Sequence, residues 1–129
     1  MNLLDENIRQ DQGIQLRRWH IPCRFLVEEF APSGIQDPDI IPLLHRLKQP
    51  AWFTHDQDFF RRDLAHDAYC LVWLDVFDGK AAEFIRAFLK HELFDTAAKR
   101  SGTVVRVHSA GLDFWQRNRA GLQRAVWAA

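Results

Sequence analysis

The sequence predicts a three-layer α/β domain built on a mainly parallel central sheet. Three observations lead there. Short apolar runs ("AWFT", "YCLVWLDVF", "GTVVRV") alternate with stretches carrying apolar residues at helical spacing, the order that yields parallel strands with helices crossing over their faces. The run at 69–77 is nearly continuous in apolar, β-branched and aromatic residues, which suits a strand buried on both faces. A chain of 129 residues, 47% hydrophobic, can bury one core but is too short for two.

Taken in order, "NLL" reads as a short buried strand ending at Asp5. A helix is expected from about Ile8 to Trp19, with Ile8, Leu16 and Trp19 on one stripe and Gly13 as its weak point. Asn7 is read as that helix's cap. "IPCRFLVEEF" is expected to be a second strand, opened by Pro22. "APSGIQ" forms a loop before a helix for which Asp37 is the N-cap candidate and Pro38 the first helical residue; Pro42 falls inside it. "AWFT" is a third strand and 69–77 a fourth. One long helix is expected over 79–100, with Phe84, Phe88 and Leu89 on its apolar face. "GTVVRV" is a last parallel strand, and "SAG" turns the chain into "LDFWQ" as its hairpin partner. The whole chain, 1–129, is read as a single domain with its core over about 2–116; the tail over 117–129 carries no pattern that places it.

Composition narrows the classes. There is no basic stretch followed by an apolar one at the N-terminus, so no signal peptide is expected, and no run reaches the roughly 18 apolar residues of a membrane helix. Cys23 and Cys70 lie far apart in apolar surroundings, which suggests buried reduced thiols and a cytoplasmic protein. Net charge is zero but uneven: from Lys99 onward six basic residues face one acid (+5), leaving 11 basic and 16 acidic residues before it (−5). A basic terminal segment on an acidic body hints at a polyanionic ligand. Trp115, Trp127 and the tail are candidates for a homodimer interface.

The chemistry concentrates in "PAWFTHDQDFF" at 50–60. In an open α/β sheet, ligands bind beyond the carboxyl ends of the strands. Asp5 closes the first strand, Asp56 and Asp58 follow the third, and Asp37 begins a helix on the same rim, so these four acids are expected to converge. Like charges held together require a cation, and an oxygen ligand set of carboxylates suits Mg²⁺ or Mn²⁺. Asp58 has a second reading, as the cap of a short helix over 59–63.

"LLDEN" at 3–7, "DPDII" at 37–41 and "THDQDF" at 54–59 together resemble the short stand-alone PIN-like domains, relatives of the ribonuclease toxins of bacterial toxin–antitoxin pairs. The resemblance spans roughly residues 2–110. It implies a PIN-like fold, an acidic Mg²⁺ or Mn²⁺ site and cleavage of single-stranded RNA to 5′-phosphate and 3′-hydroxyl ends. The matching acids are Asp5, Asp37, Asp56 and Asp58, with Glu6 and Asp39 competing for the second position. Thr54 would be the hydroxyl that orients a carboxylate or water. Arg61 and Arg62, just beyond the acids, would contact RNA phosphates. The alternative is a non-catalytic PIN-like module that binds an antitoxin protein.

Other chemistries lack their signatures. The six histidines show no H-x-x-x-H spacing or cysteine pair for zinc. His66–Asp67 precedes a strand where helical phosphohydrolases have a helix. No glycine-rich phosphate loop or nucleophile elbow is present.

Overall fold

The computed structural model describes residues 1–30, 34 and 37–127, including every side chain among these but that of Asp37. The expected loop over 31–36, Gly34 apart, and Ala128–Ala129 lie outside the described residues. One mostly parallel sheet of seven strands runs through the mixed α/β chain: β1 (Asn2–Leu4), β2 (Arg24–Phe25), β3 (Ala51–Thr54), β4 (Cys70–Leu74), β5 (Thr103–His108), β6 (Gly111–Gln116) and β7 (Gln123–Val126). Their spatial order is β2-β1-β3-β4-β5-β6-β7. The first five are mutually parallel, and β6 and β7 add on antiparallel. Among the described residues five α-helices accompany them: α1 (Gln10–Arg18), α2 (Leu26–Glu29), α3 (Asp37–His45), α4 (Ala81–Lys90) and α5 (Ala97–Arg100).

Side-chain alternation along the strands divides the core between the two faces. Leu4, Phe53, Val72 and Val105 pack with Leu16 of α1 and with Ile85 and Phe88 of α4. Leu3, Trp52, Leu71 and Val104 pack with Leu26 of α2 and with Ile40 and Leu44 of α3. With both faces covered, β3 is buried at every position, which is why the middle strands read as continuous apolar runs.

Several boundaries differ from the sequence reading. The second strand stops after Phe25, because β1 ends at Leu4 and Phe25 is the partner of that last residue; the expected remainder, from Leu26, winds into α2. α1 is shorter than expected, and its N-cap is Arg9, so Asn7 is not its cap. Gly13 is no weak point: a Cβ there would come within 2.6 Å of the Phe25 ring, so the glycine lets helix and strand approach. The long helix over 79–100 breaks after Lys90. Phe94 must turn inward, 4.9 Å from Phe88 and 5.1 Å from Phe114, and a new helix then starts under a Thr96 cap that accepts the Lys99 N–H.

The hairpin partner of β5 is β6, as the sequence suggested, and the tail supplies β7. Gly111 permits that last pairing, since a Cβ at this position would lie 2.2 Å from the Ala125 carbonyl oxygen. Trp115 and Trp127 are half-buried against their own chain. Trp115 packs near Phe60, and Trp127 packs on Phe84 and donates to the His108 carbonyl; neither is a freely exposed ring. Both thiols are buried, and burial pushes that of Cys70 up to about 12, which leaves it unreactive. Among the described residues no helix is long and apolar enough to cross a membrane.

Candidate active site at the ends of β1 and β3

β1 and β3 are adjacent and parallel, paired Leu4 to Phe53, so their next residues, Asp5 and Thr54, emerge side by side at the carboxyl edge. Asp5 leaves the strand while its N–H still donates to the Phe53 carbonyl at 2.9 Å. Asp5 is 9% exposed and Thr54 is fully buried. The Thr54 hydroxyl donates to Asp5 Oδ2 at 2.6 Å. It also accepts from Asn7 Nδ2 at 3.2 Å and from the Asp56 N–H at 3.0 Å. With both lone pairs of the hydroxyl occupied, its single hydrogen has one destination, the Asp5 carboxylate. Asn7 closes the ring by accepting the His55 N–H at 3.2 Å. His55 in turn sets Nδ1 3.0 Å from the Leu74 carbonyl. A carbonyl can only accept, so the proton sits on Nδ1.

Asp56 turns the chain out of β3. Its Oδ1 accepts the Asp58 N–H at 2.9 Å and caps a 3-10 turn over Gln57–Phe59. The helix expected over 59–63 under an Asp58 cap is therefore replaced by this turn, capped by Asp56, and by a second 3-10 turn at Arg62–Leu64. Phe59 and the ring of Trp52, 5.8 Å apart, anchor the segment in the core.

Burial is the main force raising the Asp5 carboxyl above its usual range. The Thr54 hydroxyl and the Glu6 N–H hold it down in part, while the charges of Glu6 and Asp56 push it further up. A carboxyl raised on folding favours the protonated native state; the stability it lends is complete below the unfolded value near pH 4 and is lost as pH climbs through the folded value. Asp5→Asn is therefore expected to stabilise the fold at pH 7 by about 1 kcal/mol, the gain common when a strained functional group is removed. The advantage over the native chain should vanish near pH 3.5, where both side chains are neutral. Thermal unfolding at the two pH values checks this, and a variant less stable at pH 7 refutes it.

Asp58 and Asp39 are exposed. Glu6 accepts the Gly34 N–H at 3.2 Å. Asp37 opens α3, and its side chain lies outside the described residues. Arg61 is engaged by Asp63, its Nε donating to Oδ1 at 3.0 Å, and exposed Arg62 lies 6.0 Å from the Trp115 ring centre. Arg117, in the basic terminal segment, lies away from these acids: its N–H donates to the Gly102 carbonyl, and the Gly102 N–H to that of Tyr69, at the opposite edge where β4 begins.

Among the described residues no three His, Cys, Asp or Glu side chains are grouped to hold a metal ion. What the edge does offer is the Asp5 carboxylate, tied through the Thr54 hydroxyl to the backbone N–H of Asp56, and the Asp56 carboxylate, whose charge is felt at Asp5. That donor set fits Mg²⁺, which is commonly held by one or two carboxylates while waters and substrate phosphates supply the remaining oxygens. Asn7 escaped the sequence reading because a polar residue just before a helix is ordinarily a cap. The "DEN" run gave no hint that its side chain crosses to β3. No protein-family model, curated protein or solved structure matches this chain.

Proposed function

We propose that this chain is a PIN-like, Mg²⁺- or Mn²⁺-dependent ribonuclease of the toxin type, acting at the edge where Asp5, Thr54 and Asp56 meet. The observation that carries the reading is the Thr54 hydroxyl, which ties the buried Asp5 carboxylate to the residue that bears Asp56. A core does not gain from a buried acid whose ionisation burial and neighbouring acids oppose, whereas a cation there offsets both costs. Asp5 and Asp56 would hold the ion. When bound, it supplies Lewis-acid polarisation of the phosphodiester and a more acidic water. Thr54 occupies Asp5 Oδ2 and so orients the carboxylate. Asn7 and the Asp56 N–H fix the direction of the Thr54 proton, and the Asp56 cap keeps the acid-bearing turn rigid. Asp37, the first residue of α3, would be a further ligand as the resemblance implies, and so would Asp58 at the exposed end of the turn.

A second reading, a non-catalytic PIN-like module for a partner such as an antitoxin, draws on Glu6, whose carboxylate accepts the Gly34 N–H. Calorimetric Mn²⁺ titration, with RNA cleavage followed with and without chelator, separates the two. The ribonuclease should bind Mn²⁺ and lose cleavage on chelation. Mn²⁺ at ten times its Kd should also stabilise the native chain by about 1.4 kcal/mol and leave Asp5→Asn unmoved. A native chain that binds no Mn²⁺ at millimolar concentration selects the partner-binding module.

A further inference from the structure

The register that brings Asp5 and Thr54 together continues across the sheet. Thr54 pairs with Trp73, Trp73 with Arg106, Arg106 with Asp113 and Asp113 with Arg124. Residues matched across neighbouring strands present their side chains to one face, so a single row leads from the acids to β7. Helices α2 and α3 contribute Leu26, Ile40 and Leu44 to the core on this face, whereas three half-buried rings gather over β4 to β6. Phe60, two residues past Asp58, lies 5.7 Å from Trp73 and 6.4 Å from Trp115, tilted by 42° and 33°. Two guanidinium groups attend them: Arg106 at 5.4 Å from the Trp73 ring centre and Arg62 at 6.0 Å from that of Trp115. Arg106 is fixed in place by Asp75 at 2.7 Å and Asp113 at 3.0 Å. Arg62 is exposed and forms no ion pair among the described residues.

We propose that Phe60, Trp73 and Trp115, with Arg62 and Arg106, form a base-stacking track for a single-stranded polynucleotide that feeds the Asp5–Thr54–Asp56 edge. The catalytic end of this track rests on the ribonuclease reading; the binding does not require the metal. Rings accept any base by its face, and adjacent guanidinium groups meet the phosphates, the combination that holds single strands without reading their sequence. A duplex keeps its base faces stacked inside and cannot use such rings. The rings lie within the span of a few residues of the acids, so a strand laid on them delivers a neighbouring phosphodiester to Asp5 and Asp56. Neither Trp73 nor Trp115 carries a signal in the sequence that separates a stacking ring from a core one.

The test uses the full chain in chelator, so that no cleavage intervenes, with fluorescence anisotropy on labelled oligo-U, oligo-dT and duplex probes of about 12 nucleotides, within the span of single-strand sites. Single strands should bind at least about tenfold more tightly than the duplex, and more weakly as salt rises. Trp115→Ala should weaken binding by about tenfold, one stacked base, and Arg62→Glu by about fivefold through a lost and reversed phosphate contact. Trp73→Phe keeps a ring and should stay within about threefold of the native chain; circular dichroism establishes that each variant is folded. The two single-stranded probes tell RNA from DNA preference, and binding of either supports the track. Equal or tighter duplex binding overturns it, as does unchanged affinity in folded Trp115→Ala and Arg62→Glu, or capture of a protein but no oligonucleotide. Binding without cleavage when Mn²⁺ is restored leaves the track standing and removes the ribonuclease reading. Cleavage with variant affinities unchanged does the reverse.

Discussion

Asp56→Asn is expected to lower RNA cleavage by about a hundredfold or more, the usual scale for removing one group that meets developing charge, while the fold stays intact. The substitution isolates charge from structure. Asp56 Oδ1 accepts the Asp58 N–H and caps the 3-10 turn, and an asparagine carbonyl does the same. The Asp56 N–H that donates to Thr54 is backbone and survives this substitution. What disappears is one negative charge of the two that would hold the ion, and with it part of the repulsion that raises the Asp5 carboxyl. Mn²⁺ affinity and cleavage should therefore fall together, with the melting temperature unchanged or slightly higher. Single-turnover cleavage, Mn²⁺ calorimetry and thermal unfolding on the same preparation read all three. Full cleavage by a folded Asp56→Asn chain removes Asp56 from the chemistry. Asp56→Ala is the less informative change, because it also removes the cap, worth about 1 kcal/mol.

The largest expected loss of stability is at Phe88. Its ring is fully buried, stacked 4.9 Å from Phe94 and edge-on 5.9 Å from Phe53. It thus joins α4 to the centre of the sheet and to the loop that turns toward α5, and Phe94 passes the contact on to Phe114 of β6. Phe88→Ala leaves a cavity bounded by rings on strands and loop that cannot collapse together, at a cost of about 3–5 kcal/mol. Against a total of about 5–15 kcal/mol, that is a large fraction of what holds the fold. Urea unfolding should show the midpoint falling with little change in slope. Phe77, 71% exposed, is the matched control, and Phe77→Ser should change stability by less than about 0.5 kcal/mol. A Phe88→Ala effect no larger than the control's would mean that the α4 face does not carry the core.

The parallel sheet was legible because its evidence is local: a strand covered on both faces must be apolar throughout, and "AWFT" and "YCLVWLDVF" are. Element ends were less legible. The strand expected over 21–30 ended at Phe25 for want of partners on β1, and the helix expected over 79–100 broke where Phe94 had to reach Phe88 and Phe114. Both limits are set by residues far away in the chain. At the candidate site, Asp5 and Asp56 could be chosen because they come just after the ends of β1 and β3, and Thr54 only through the resemblance carried by "THDQDF". Asn7 could not, since its partners Thr54 and His55 lie 47 and 48 residues away. The basic tail looked like one cluster in sequence, yet Arg117 sits at the edge opposite the acids while Arg106 faces the row that begins at Thr54.

By itself the sequence determined that this chain folds as α/β with parallel strands, and that acids follow the first and third of them. Periodicity and strand ends are properties of short segments, and short segments carry them in full. Only the tertiary structure decided which polar groups meet. The direction of one hydroxyl proton at Thr54 and the alignment of Trp73 with the acid edge depend on register between separate strands. Register is set by packing both faces of the sheet at once, and no single segment contains that information.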